Sequence, residues 1–234
     1  PIDFAPDGTV ALDQLAAKIK PDDPHFAITR LLCLENTHHG RSVPPAFLAD
    51  AAAFARSHGL VVHLDGARLA NAAVAEGVDL AGLAGGADTV SLCFSKGLGA
   101  PAGSVIAGPE PLIARARRWR NLWGGAMRQS GVLAAAALLA LDHHVERLVD
   151  DHVRAAALAD GLCALGLDAE AHTNRVYVSL GDRDGAAIAG ALAQLGVVVL
   201  PGPVLRLVTH LDVSDDDVST TLDAFARVLD HTDS

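Results

Sequence analysis

Residues 88–108 read "DTVSLCFSKGLGAPAGSVIAG". Val90 to Phe94 is a short run of strand-forming residues that ends in Ser95-Lys96, and the next residues are glycine, leucine, glycine and alanine. A surface lysine needs no such clearance, whereas a lysine that must bond to something large and flat does. Working outward, Leu60 to Leu64 is another short apolar run, followed by helical spacing over Ala67 to Glu76. Phe26 to Leu34 reads as a strand, and Pro45 to His58 as a helix stopped by Gly59. Strands that alternate with helices predict right-handed crossovers and a mainly parallel sheet covered on both faces, hence an α/β fold.

The flanks complete the pattern. Leu12 to Ile19 reads as a helix and Ser104 to Ala107 as a strand. Gln129 to Leu165 is almost wholly helical, with a bend expected near Leu141-Asp142. Strands follow at Arg175 to Ser179, Val197 to Leu200 and Val204 to Val208, then a helix from about Asp215 to Leu229. Ser214 with three aspartates behind it is an N-cap and first-turn signal. We therefore expect a large sheet domain over 1–140, and a linking helix with a small α+β domain over 141–234.

Composition narrows the class of protein. Half of the 234 residues are apolar and only 4% are aromatic, so alanine, leucine and valine fill the interior. A net charge of −10 leaves no basic surface to displace counterions, which argues against nucleic acid. The apolar runs stop well short of the roughly 20 residues of a membrane-spanning helix. Three widely spaced cysteines (Cys33, Cys93 and Cys163) fit reduced thiols, and no export leader opens the chain. A cytoplasmic protein without membrane partners is expected.

In parallel α/β sheets, ligands bind beyond the carboxyl ends of the strands. That rule selects Glu35, Asn36, Thr37 and His38 in "LLCLENTHHG" (31–40), Asp65 and Arg68 in "LVVHLDGAR" (60–68), and Ser95 and Lys96 in "VSLCFSK" (90–96). Taken singly, Asp65 reads as a helix cap, Arg68 as a solvated first-turn residue and Lys96 as a loop lysine. Together, an aspartate ending one buried strand and a lysine ending the next suit pyridoxal phosphate. That cofactor takes a lysine amine in covalent linkage and a carboxylate against its pyridine nitrogen. His63 reads as a core histidine or as one that touches the cofactor surroundings, the core being preferred. His143, His144 and His152 lack metal-ligand spacing, so they are expected to face solvent or a subunit neighbour, and no metal is expected. Trp119 and Trp123 read as packing for a helix or an interface.

The segments "ENTHHG" (35–40), "HLDGARL" (63–69), "FSKGLGAP" (94–101), "GGAMRQSG" (124–131) and "LRLVTHLDV" (205–213) resemble the low-specificity L-threonine aldolases. These belong to the β-eliminating lyase group of fold-type I pyridoxal phosphate enzymes. The resemblance runs from about Asp7 to the C-terminus. It implies that Lys96 carries the cofactor, Asp65 faces the pyridine nitrogen, and Arg68 reaches the cofactor hydroxyl or the substrate carboxylate. It further implies that Arg206 clamps that carboxylate, that His25 lies near the substrate hydroxyl, and that Arg128 serves the phosphate end or a subunit contact. The implied reaction is aldol cleavage of L-threonine or L-allo-threonine to glycine and acetaldehyde, in a homotetramer built as a dimer of dimers.

Two departures from the family pattern stand out. The chain starts where relatives are already well into the large domain, without the glycine-rich phosphate turn and the ring-stacking histidine, so an incomplete large domain is expected. Asn121 stands where a lysine is common. The lysine–aspartate pair also serves aminotransferases, serine hydroxymethyltransferases and β-eliminating lyases, and a non-catalytic truncated homologue is a further reading.

Overall fold

The computed structural model describes residues 2–232. In chain order the elements are α1 (Leu12–Lys18), β1 (Leu31–Glu35), α2 (Pro45–Ser57), β2 (Val61–Gly66), α3 (Leu69–Glu76), α4 (Leu80–Ala84), β3 (Thr89–Cys93), β4 (Ser104–Ala107), α5 (Glu110–Leu122) and α6 (Gly131–His143). Then follow α7 (Leu148–Ala164), β5 (Asp168–His172), β6 (Arg175–Ser179), α8 (Gly185–Gln194), β7 (Val204–Val208) and α9 (Asp215–Thr232). Contacts divide the chain into two units, residues 1–146 and 147–234. The division falls a few residues past the expected 140/141 boundary, because the helical stretch breaks between α6 and α7 rather than at Leu141-Asp142.

The first unit holds a four-stranded sheet in the order β1-β2-β3-β4. The β1–β2 and β2–β3 pairs are parallel, and β3–β4 is antiparallel. One face is packed. Leu32, Leu34, Val62 and Leu64 point into a cluster with Leu48 and Ala51 of α2, Leu69 and Ala73 of α3, and Leu83 of α4. Each leucine or valine among them contributes roughly 1.5–3 kcal/mol on burial. The opposite face corrects the expectation of helices on both sides: Leu31 and Val61 remain 51% and 45% exposed, and Cys33 and Asp65 are exposed too. Strands laid down in the order 1-2-3 by crossovers of one hand put every connecting helix on the same face.

The second unit is a three-stranded antiparallel sheet, β5-β6-β7, backed by α7, α8 and α9. Val176, Val178, Leu205 and Leu207 meet Leu158 and Leu162 of α7, Ile188 and Leu192 of α8, and Phe225 and Val228 of α9. The expected strand over Val197 to Leu200 is absent. Val197 and Val199 pack inward and Val198 and Leu200 face out, as in a strand, but the segment pairs with no neighbour. Pro201 and Pro203 just beyond it have no N–H with which to extend a ladder. No helix among the described residues is long and apolar enough to cross a membrane.

The start of α9 follows its sequence signal. Asp217 N–H donates to Ser214 Oγ at 3.1 Å, while Ser214 N–H and Oγ–H donate back to the Asp217 carboxylate at 2.8 and 2.7 Å. This is a capping box with aspartate in the reciprocal position. The side-chain bond from Ser214, then its backbone N–H, hold the Asp217 carboxyl below the ordinary 3.8. Ser214→Ala is expected to cost about 1 kcal/mol in urea unfolding. A carboxyl with a depressed folded pKa stabilises at pH above its unfolded value, and that contribution disappears as pH falls through the folded one. The difference between wild type and variant should therefore shrink in acid.

Candidate active site

The parallel register sets a polar row at the carboxyl end of the first sheet. Glu35 of β1 is level with Asp65 of β2, and Asp65 with Ser91 of β3. All three share parity with the exposed residues, so they take the bare face. Asp65 Oδ1 accepts the Ala67 N–H at 3.0 Å and the Ser91 hydroxyl at 3.2 Å. Its second oxygen has no partner among the described residues. The helix-cap reading of Asp65 is not realised: α3 starts at Leu69 with Arg68 as its N-cap residue, and Asp65 instead closes a turn onto Ala67. Ser91 was not singled out in the sequence, and the available signal was its strand parity, five residues before Lys96.

Gly66 lets this row close up. A Cβ there would lie 2.5 Å from the Ser91 carbonyl oxygen and 3.0 Å from Leu69 Cβ. The Asp-Gly step therefore gives β2 and β3 the close approach that brings the Ser91 hydroxyl to Asp65. Arg68 follows at the N-cap position of α3 and is half-buried.

Lys96 lies in the loop after β3 and is exposed. The loop is tied down by its backbone: Gly99 N–H donates to the Lys96 carbonyl at 2.8 Å, Ala100 N–H to Phe94 at 2.9 Å, and Phe94 N–H to Gly103 at 3.0 Å. His144 Nδ1 donates to the Leu98 carbonyl at 2.7 Å, which anchors the loop to the end of α6. The sequence expectation placed His144 in solvent or at a neighbour. A bond across 46 positions leaves no local signal. The Lys96 amine makes no hydrogen bond or ion pair among the described residues.

Other strand-end groups divide. Asn36 is structural: it is buried, its amide donates to the Val43 carbonyl at 3.1 Å, and its carbonyl accepts the Val43 N–H at 3.0 Å. The Thr37 hydroxyl beside it is buried without a partner. His38 Nδ1 bonds the Glu35 carboxylate, and its ring stacks on Phe4 at 4.0 Å. His63 is not a core residue; it is half-buried with Nδ1 2.8 Å from Thr89 Oγ1.

The remaining candidates are carried by other segments. The His25 side chain is 88% exposed between α1 and β1, and its Nδ1 donates to Asp23 at 2.7 Å. The backbone N–H of His25, then its ring, hold the Asp23 carboxyl below its ordinary value. Arg128 is exposed between α5 and α6. Arg206 lies on β7 of the second unit, exposed, and lines a cleft of about 350 Å³ with Val198, Leu200 and His210. A larger cavity of about 580 Å³, lined by Phe94, Val105, Arg120, Met127 and Leu138, contains none of the predicted residues. Gly66→Ala is expected to destabilise the protein by roughly 1–3 kcal/mol through overpacking against β3, measurable by urea unfolding.

Comparison with known proteins agrees with the five motifs. The sequence profile of the beta-eliminating lyases matches residues 1–182. A low-specificity L-threonine aldolase of Escherichia coli O157:H7 is 48% identical over 220 residues, covering 94% of this chain and 66% of that protein. A probable low-specificity L-threonine aldolase 2 of Arabidopsis thaliana is 41% identical, covering 95% of this chain and 67% of its own length. The chain thus spans about two thirds of these relatives. Among solved structures, a Leishmania major threonine aldolase superimposes with TM-score 0.76 at 23% identity, over 96% of this chain and 69% of that one. An aspartate aminotransferase of Thermus thermophilus gives 0.69 at 19% identity, over 97% and 63%. The α/β architecture expected for fold-type I enzymes is therefore the observed one, and with the profile covering most of its length, the chain belongs to the beta-eliminating lyase family.

Proposed function

We propose that the protein is a pyridoxal phosphate-dependent lyase that cleaves L-threonine and L-allo-threonine to glycine and acetaldehyde. The observation that carries the reading is Asp65, held by Ser91 and the Ala67 N–H on a bare sheet face, with Lys96 in the loop that ends the next strand. The names of the curated relatives support the reaction. The residues present fit the cofactor. A flat group has an uncovered sheet face to lie on, the partnerless oxygen of Asp65 suits a protonated ring nitrogen, and the orphaned Thr37 hydroxyl lies beside the same strand ends.

Bound there, pyridoxal phosphate supplies an electron sink for negative charge developing at the substrate α-carbon. Asp65 holds the proton on the ring nitrogen. Lys96 would hold the cofactor through its side-chain amine. Arg206 binds the substrate carboxylate through its two-pronged fork, with Arg68 as the second cation at the cofactor hydroxyl or carboxylate. Fixing the carboxylate orients the α–β bond for cleavage. His25 takes the proton from the β-hydroxyl: Asp23 accepts from Nδ1, which leaves Nε2 of the neutral ring as the base.

A cytoplasmic homo-oligomer, a tetramer of paired dimers, is part of the same proposal. Leu122, Trp123 and Val132 are 72%, 80% and 78% exposed on and between α5 and α6. That much bare apolar surface is typical of a protein interface. Arg128 lies in the same segment, where it serves that contact or the phosphate end.

The test is an absorbance spectrum with the cofactor, followed by borohydride reduction and mass spectrometric mapping. A visible-range band that reduces onto Lys96, and is lost with cleavage activity in Lys96→Ala, is expected. A folded protein that shows no band and no reducible lysine would sink the proposal. Arg206→Lys keeps the charge but loses the fork. It should raise KM for L-threonine by roughly ten- to a hundredfold, about 1–3 kcal/mol, with little change in kcat. An unchanged KM removes Arg206 from the site.

A further inference from the structure

The outer face of the β5-β6-β7 sheet carries more chemistry than Arg206 alone. Val176 and Val178 of β6 are fully buried in the core, which turns Arg175, Tyr177 and Ser179 to the opposite face. Leu205 and Leu207 of β7 do the same for Arg206 and Val208. The register sets Tyr177 directly opposite Arg206, and Arg175 opposite Val208. Directly opposed residues have Cβ atoms about 4.5–5.5 Å apart, and diagonal ones are within reach of long side chains. Tyr177 is therefore beside Arg206, with Arg175 diagonal to it.

The two arginines are held differently. Arg206 is exposed and makes no hydrogen bond or ion pair among the described residues. Arg175 is only 8% exposed and its Nε is buried without a partner. Its one side-chain bond is from Nη1 to the Tyr177 hydroxyl oxygen, at 3.0 Å. Burying a guanidinium is costly, so its hydrogen bond to a phenol is informative. A phenol oxygen that accepts from a cation has its own proton left to donate, and the charge behind it strengthens that donation. Glu170, on the far side of Tyr177 in β5, is engaged by His172 Nε2 at 3.0 Å.

We propose that Tyr177 is a further substrate-binding residue: its hydroxyl donates to the carboxylate that Arg206 binds, and Arg175 is the positioning residue that fixes the phenol. The inference rests on the reading of Arg206 as the carboxylate-binding residue. A carboxylate accepts at about four lone-pair sites, of which the Arg206 fork uses two. A third donor fixes the plane of the group, and with it the rotation about the bond to the α-carbon.

The experiment uses Tyr177→Phe, which keeps the ring and removes only the hydroxyl of the single tyrosine in the chain. In the cofactor-loaded protein we would measure KM and kcat for L-threonine, Kd for glycine, and KM for L-threonine amide. KM for the acid and Kd for glycine should rise roughly tenfold or more, with kcat nearly unchanged, while the amide is affected far less. The Tyr177→Phe and Arg206→Lys effects should combine to less than their product, because both act on one group. Unchanged KM and Kd in Tyr177→Phe, with both raised in Arg206→Lys, overturns the role of Tyr177 and leaves Arg206 in place. No effect in either variant overturns both readings. Equal losses for acid and amide place the hydroxyl elsewhere and also overturn the proposal.

Discussion

The parallel register of β1, β2 and β3 is the constraint on which the candidate site depends. It makes Glu35, Asp65 and Ser91 level, although they come from three separate stretches of chain. Because side chains alternate across a strand, a slip of one residue in either pair would turn part of the row into the apolar core. The row is held in place from the opposite face, where Leu32, Leu34, Val62 and Leu64 have only one orientation that buries them. The hydrophobic core thus decides where the polar chemistry is displayed.

Parallel strands are usually covered on both sides. Among the described residues the face that carries Asp65 is uncovered, in a chain that spans about two thirds of its relatives. Helices packed there would bury the carboxylate against apolar side chains. Left open, the face keeps Leu31 and Val61 as apolar ground next to the polar row, which suits a planar ligand with one charged edge.

Much of this was legible in the sequence because the signals are local. Ser104–Ala107, Arg175–Ser179 and Val204–Val208 are strands at the bounds their β-branched runs suggest, and Ser214 caps the helix it precedes. Lys96 and Asp65 stood out because strand ends in α/β sheets are where ligands bind. The failures are non-local. Val197 to Leu200 has a strand's composition and alternation, but whether it pairs is decided by what lies beside it. β5, with Asp168, Glu170 and His172 on its outer face, has too little apolar character to announce itself, yet β6 completes it. α5 is the exception, a local signal passed over: Leu112, Ala116, Trp119 and Leu122 recur on it at helical spacing, although none of its residues is buried. Ser91 and His144 matter only through partners far away in sequence.

Asp65 has a structural role, though it closes a turn onto Ala67 rather than capping the helix, and it keeps its second oxygen unengaged among the described residues. A helix-capping aspartate and a ligand-binding aspartate look the same in "HLDGAR". Here Oδ1 takes both structural bonds, from the Ala67 N–H and the Ser91 hydroxyl, which fixes the plane of the carboxylate. The other oxygen is thereby presented in a set direction without further support. A carboxylate held only by a ligand would have to be ordered when the ligand arrived, with loss of side-chain freedom at that moment. Two bonds on one oxygen meet that cost during folding. The same argument gives Gly66 its role: only a residue without Cβ lets the Ser91 strand come close enough to make the second bond.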